Sequence, residues 1–151
     1  MNVELRPATA ADDEFCFQLH RAAMGDYVAA IWGWDDEVQR GYHQRAFTPG
    51  EWQIIVVDGV DTGMLSVDRR PDEIYLGRIE ILPDHQGRGI GAELIVRLRE
   101  EARRRGCDLV LDVLDVNARA LALYSRLGLR EVSRDGAKIR MRYTPGQMEG
   151  H

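Results

Sequence analysis

The chain has 151 residues and a mass of 17.2 kDa, room for one ordinary domain and not for two. Its 44% hydrophobic and 30% charged residues describe a folded chain, and no apolar run approaches the roughly 20 residues of a membrane helix. A net charge of -5 argues against non-specific nucleic-acid binding as its main activity.

Val3-Glu4-Leu5-Arg6 alternates and stops at Pro7, so it reads as a short strand. The opening residues lack a basic segment followed by an apolar one, so no secretory signal is expected. Thr9 or Asp12 can cap a helix carrying Phe15, Leu19, Ala22 and Ala23 at helical spacing. A loop is expected around Ile31-Trp32-Gly33-Trp34. Asp35 and Asp36 then suit the start of a second helix, reaching about Ala46 and stopped by Pro49-Gly50.

Trp52 to Val57 is β-branched and ends in Asp58-Gly59, a hairpin signal, with Gly63 to Val67 as the return strand. Ile74 to Leu82 continues the meander. Ile90 to Arg105 carries Ile90, Leu94, Ile95, Leu98 and Ala102 on one helical face, with Gly106 placed to stop it. Leu109 to Leu111 reads as a buried strand. Asn117 caps a further helix ended by Gly128. Strands over Leu129 to Ser133 and Lys138 to Tyr143 flank Asp135-Gly136. The order β-α-α-β-β-β-α-β-α-β-β predicts an α/β chain, a mixed sheet with helices on both faces. Residues 1–143 are expected to form one domain, and 144–151 a flexible tail.

The segment Pro83-Asp84-His85-Gln86-Gly87-Arg88-Gly89-Ile90-Gly91 links a strand to a helix through glycines. Successive N–H groups at a helix start, with no Cβ in the way, suit a pyrophosphate. Gly87-x-Gly89-x-x-Ala92 formally matches a dinucleotide fingerprint, with Asp108 about 20 residues on. Two features weigh against it. Four residues separate strand and glycines, Pro83 to Gln86, and too few residues follow Ala92 for the rest of such a sheet. A P-loop is excluded because no Gly-Lys-Ser/Thr follows.

Gln86-Gly87-Arg88-Gly89-Ile90-Gly91 fits the pattern Gln/Arg-x-x-Gly-x-Gly/Ala, and Asn117-x-x-Ala120-x-x-Leu123-Tyr124-x-x-x-Gly128 follows it. Together they resemble the acetyl-CoA-binding motifs of the GNAT superfamily of N-acetyltransferases. The resemblance covers residues 2–143 and is sharpest from Ile74 to Gly128. Leu129 stands where the family usually has Phe, a change that bears on packing. The resemblance implies a GNAT-like fold with a mostly antiparallel central sheet. It also implies acetyl transfer from acetyl-CoA to a primary amine of a small molecule or peptide.

The resemblance further implies that Gly87, Arg88, Gly89, Ile90 and Gly91 hold the pyrophosphate, with Gln86 supporting the turn. The pantetheine arm would pair with the main chain at Ile79 and Ile81, as a small molecule adding to a strand. Tyr124 would protonate the leaving thiolate; by spacing alone it is a core residue one turn from Leu121 and Leu127. Asn117 is first an N-cap, and a pantetheine contact is compatible with that. An amine with a pKa of ~10.4 must also lose a proton. Asp112 occupies a position resembling that of a catalytic Glu in ribosomal-protein N-terminal acetyltransferases. Glu80, between Ile79 and Ile81, ranks equally as the base, and a water relay is the third reading.

Family analogy puts the acceptor beside the loop between the first two helices, naming Tyr27, Trp32, Trp34 and Asp35. Aromatics beside carboxylates suit a cationic amine; packing and helix-start roles explain Trp32 and Asp35 equally well. Residues 1–75 hold six basic and fourteen acidic residues, and 76–151 hold fourteen and eleven. That split matches an acidic half for the amine and a basic half for the CoA phosphates. His20, His43 and His85 show no ligand spacing, so no metal is expected and they read as structural or exposed. Cys16 and Cys107 lie outside nucleophile motifs and suit reduced thiols in the cytoplasm. No nucleic acid or membrane partner is expected, and a homodimer is compatible with the resemblance. Two other functions stay open: a non-catalytic CoA-binding regulatory module, and a nucleotide-binding oxidoreductase.

Overall fold

The structure, a computed structural model, describes residues 1–146. The expected tail begins at Thr144, and its residues 147–151 lie outside the described ones. The described residues form seven strands: β1 (Val3–Pro7), β2 (Trp52–Val57), β3 (Val60–Arg69), β4 (Glu73–Ile81), β5 (Asp108–Leu114), β6 (Arg130–Asp135) and β7 (Lys138–Tyr143). Four helices accompany them: α1 (Asp13–Trp32), α2 (Asp36–Ala46), α3 (Ile90–Arg105) and α4 (Ala118–Arg126). The strands form one mixed sheet in the order β1-β2-β3-β4-β5-β7-β6. The element order is the one the sequence predicts.

By internal contact the chain divides into two units, although residues 1–143 read as one domain in the sequence. The first comprises Met1–Ser66 and Arg78–Arg88, the second Val67–Gly77 and the described residues 89–146. The boundary runs through β3 and β4, so each strand contributes to both.

In the first unit, β1, β2 and β3 pair antiparallel. Asp58 (φ 51°) and Gly59 (φ 82°) both take positive φ, the requirement of a tight type I′ hairpin turn. The core here gathers Ala8, Cys16, Leu19, Trp52, Ile54 and Met64, with Phe15, Ala23, Phe47, Val56 and Leu82 packed against it. Burial pushes the Cys16 thiol up to about 12, so it stays protonated. Beside this core the Arg6 fork holds both oxygens of Asp12, at 3.0 and 2.9 Å, and reaches Asp61 at 3.0 Å. Asp12 also accepts the Thr9 N–H at 2.8 Å, closing a capping box.

The Arg6 guanidinium, hydrogen-bonded to both oxygens, holds the Asp12 carboxyl down at about 2. The folded state therefore prefers the anion. Its contribution is complete above about pH 4 and is lost as pH falls towards about 2. The variant Asp12→Asn should melt lower at neutral pH than the native chain. It should also lose less stability on acidification to about pH 2. Thermal melts across that range check both.

In the second unit β5 is the central strand. It pairs parallel with β4 from Glu73↔Asp108 to Leu76↔Leu111, and antiparallel with β7 from Leu109↔Tyr143 to Leu114↔Lys138. β4 continues through Ile79 and Ile81 beyond that parallel ladder. α3 packs on β5, with Ile90, Leu94, Ile95, Leu98 and Ala102 buried, and Gly106 (φ 65°) ends it in the left-handed region. β6 is an edge strand exposed along its whole length.

Candidate active site

The glycine turn starts where β4 ends. The Leu82 N–H donates to the Thr62 carbonyl at 2.8 Å, and Pro83–His85 form one 3₁₀ turn. The Gln86 side-chain amide donates to the Ile81 carbonyl at 2.8 Å, tying the turn back to the strand. Gly87 (φ 77°) and Gly89 (φ 86°) then adopt left-handed backbone, which a Cβ disfavours. Gly89 caps the 16-residue α3, and no side chain occupies that cap. A Cβ on Gly89 would meet no atom within 4 Å, so the main chain faces open space there. Ile90 is buried and anchors the helix start. Exposed Arg88 sits 3.0 Å from His85 Nδ1. Unfilled N–H groups on a helix dipole, beside a guanidinium, favour an oxygen-rich anion. The turn is open to an anion such as a pyrophosphate.

On β4, Ile79 and Ile81 alternate with Glu80, so Glu80 points to the opposite side of the strand. Glu80 is buried. Its Oε2 lies 2.7 Å from Nδ1 of His20 on α1, and its Oε1 is buried without a hydrogen-bond partner. Asp112 on β5 is placed differently. Arg140 grips both its oxygens, at 3.0 and 3.1 Å, and the Tyr75 hydroxyl donates at 2.8 Å. Arg140, the foremost cause, holds the Asp112 carboxyl below the usual carboxylate range. A carboxylate stabilised this way is a poor proton acceptor.

Tyr124 lies in α4, buried, and its phenol is pushed up to about 12 by desolvation. Asn117 Oδ1 accepts the Ala120 N–H at 3.1 Å, the expected N-cap.

The acceptor residues are only partly brought together. The loop expected around Ile31 to Trp34 begins later: α1 runs on to Trp32, and Gly33 (φ 80°) ends it. The run Val28-Ala29-Ala30-Ile31 continues the helix readily, and glycine supplies the exit. Tyr27 and Trp32 are therefore helical, and Trp32 is exposed. Asp35 Oδ1 accepts the Val38 N–H at 3.0 Å and caps α2. Trp34 packs 5.9 Å from the His20 ring and 6.4 Å from Phe17, and its Nε1 donates to Asp36 at 3.1 Å.

His20 was read from sequence as structural or exposed, and its pairing with Glu80 has no local signature. The one trace is its position four residues after buried Cys16, on the inward stripe of α1. Among the described residues, no cluster of His, Cys, Asp and Glu is arranged to hold a metal ion, and no helix is long and apolar enough to cross a membrane.

This fold and glycine turn define a class. Residues 14–129 match the model of the Acetyltransferase (GNAT) family, and the chain belongs to that family. It is 43% identical over 61 residues to thialysine N-epsilon-acetyltransferase of Bos taurus, covering 40% of this chain and 36% of that protein. It is 41% identical over 75 residues to ribosomal protein bS18-alanine N-acetyltransferase of Escherichia coli, covering 49% and 47%. These matches span about a third to a half of the relatives' length. Among solved structures, PaiA N-acetyltransferase from Thermoplasma acidophilum in complex with coenzyme A superposes with a TM-score of 0.76. The identity is 17%, over 95% of this chain and 99% of that one. The likeness supports the mixed α/β acyltransferase fold.

Proposed function

We propose that this chain is an N-acetyltransferase moving the acetyl group of acetyl-CoA to a primary amine of a small molecule or peptide, by direct attack. The observation that carries this reading is the Gln86–Gly91 turn: left-handed Gly87 and Gly89, an uncapped helix start and an adjacent Arg88, in a chain of the GNAT family. Gly87, Arg88, Gly89, Ile90 and Gly91 hold the pyrophosphate. The main chain at Ile79 and Ile81 receives the pantetheine arm, with Asn117 near it. Tyr124 donates the proton that the leaving thiolate needs. Its high ionisation range keeps that proton in place at neutral pH.

The basic end of the reaction lies beside Glu80 rather than Asp112, which is already engaged by Arg140 and Tyr75. Cys16 and Cys107 are free and buried. The raised Cys16 thiol speaks against a covalent acyl-cysteine there and for direct attack. Free thiols fit the cytoplasm. A homodimer remains part of the proposal. Trp34 is the acceptor-side residue we retain from the four named in the sequence. The relatives' names suggest thialysine and an alanine-initiated peptide as first acceptor probes.

The test is thermal stability with acetyl-CoA, NAD or NADP, followed by thiol release with each amine. A donor at about 100 times its Kd adds about 2.7 kcal/mol, several degrees for a chain of this size. Gly89→Val forces a β-branched residue into left-handed backbone and should weaken donor binding about 100-fold. At the same donor concentration its stabilisation then falls to about 0.4 kcal/mol. A shift with NAD or NADP alone would instead support the oxidoreductase reading. A shift with acetyl-CoA and no thiol release with any amine would support the regulatory module.

A further inference from the structure

We propose that His20 is the group that takes the proton from the acceptor amine, and that Glu80 acts through it as a positioning residue. This rests on the transferase reading above. Exposure decides between the two. The Glu80 side chain is 4% exposed and that of His20 is 16%. Glu80 Oε1 is sealed from solvent and Oε2 is committed to Nδ1 at 2.7 Å. The imidazole is thus the member of the pair through which a proton enters or leaves.

The tautomer follows from the same contact. A carboxylate can only accept, so Nδ1 donates, and Nε2 keeps the lone pair that binds a proton. When Nε2 takes that proton, the imidazolium forms against a carboxylate whose other oxygen has no partner. Trp34, 5.9 Å away, packs against the ring.

Other charged and titratable groups stand on the elements around the pair. Cys16, one turn before His20 on α1, has its thiol raised chiefly by burial, with smaller electrostatic effects from Asp12, Glu80 and Asp13. Arg78 on β4 lies over Trp52 at 5.0 Å. On α2, Asp36 is engaged by Trp34 and Arg21.

In the proposed step, His20 Nε2 removes one proton from the ammonium group. The freed nitrogen bonds to the thioester carbonyl carbon and the C–S bond breaks, its electron pair staying on sulfur. The sulfur takes up one proton as the nitrogen releases its second. His20 returns its proton to solvent, so one proton is released per amide formed.

The full chain, labelled with ¹⁵N-histidine, tests this. In the native protein the His20 ring should show protonated Nδ1 and unprotonated Nε2, and Glu80→Gln should remove that preference. In His20→Asn the amide can still donate to Glu80, which preserves the fold. Its kcat/KM on the fastest amine probe should fall about 100-fold or more. Acetyl-CoA affinity should stay native. Glu80→Gln should lower kcat/KM by about tenfold on the same probe, and carries the test alone if His20→Asn is unfolded by circular dichroism. An Nε2–H tautomer in the native protein, or native rates in a folded His20→Asn, overturns the proposal and leaves the transferase reading intact. Failure of the native chain to bind acetyl-CoA or release thiol overturns both.

Discussion

Tyr124→Phe should lower kcat about 100- to 1,000-fold while leaving acetyl-CoA affinity and the melting temperature near native. A positioned general acid contributes on that scale. The ring of Phe fills the same buried space, so packing is retained and only the hydroxyl is lost. Desolvation pushes the phenol up to about 12, so it holds its proton throughout the neutral range. The same shift has a second consequence. The phenol ionises later in the folded state than in the unfolded one. Stability is therefore complete below about pH 10 and falls as pH rises towards about 12. Tyr124→Phe should lose less over that window. Single-turnover thiol release and alkaline melts measure the two effects separately. Native kcat in a folded Tyr124→Phe variant would remove this residue from the mechanism.

Gly63→Ala should be among the most damaging single-methyl changes in the chain. A Cβ on Gly63 would lie 2.2 Å from the Glu80 carbonyl oxygen and 3.2 Å from both the Glu80 carbonyl carbon and Ile55 Cδ1. The oxygen belongs to the neighbouring strand's backbone, so no flexible side chain can yield. Here glycine permits close approach of two main chains within a sheet. Relief requires β4 to move at Glu80, which disturbs its bond to His20 as well as the sheet. We expect destabilisation of about 3 kcal/mol or more, a fall in Tm of roughly 6–12 °C. Gly25→Ala is the control. It lies inside α1, where a Cβ would meet Arg21 and Trp34 at 3.9 and 4.0 Å, ordinary contact. Removing glycine from a helix interior there should stabilise by about 0.5–1 kcal/mol. Two glycine-to-alanine changes of opposite sign, read by denaturant melts, test the packing directly. A native Tm for Gly63→Ala would mean the two strands do not approach this closely.

The elements read best from sequence are those with local causes. The α3 boundaries, Ile90 and Arg105, follow from an apolar stripe and a stop glycine, and both are local. The Asp58-Gly59 turn and the Asn117 cap are likewise set by short-range backbone chemistry. The end of α1 was misread because the aromatic and glycine residues around Trp32 resemble loop composition. The Val28-Ala29-Ala30-Ile31 run nevertheless sustains hydrogen bonding to Trp32. β5 extends beyond the short run Leu109 to Leu111 because β7 supplies partners as far as Leu114. An added strand partner has no signature in the strand itself.

The sequence by itself determined the glycine turn, since residues 86–91 are contiguous and their φ angles depend on the residues present. It also determined the element order, through hydrophobic period and caps. It ranked Glu80 and Asp112 equally, two charged residues on strands, and nothing local separates them. Tertiary structure separated them. It brought Arg140 and Tyr75 onto Asp112, and sealed Glu80 beneath His20, sixty positions away. A carboxylate's readiness to accept a proton depends on burial and on the charges around it. Those are supplied by distant residues that only the folded chain brings together.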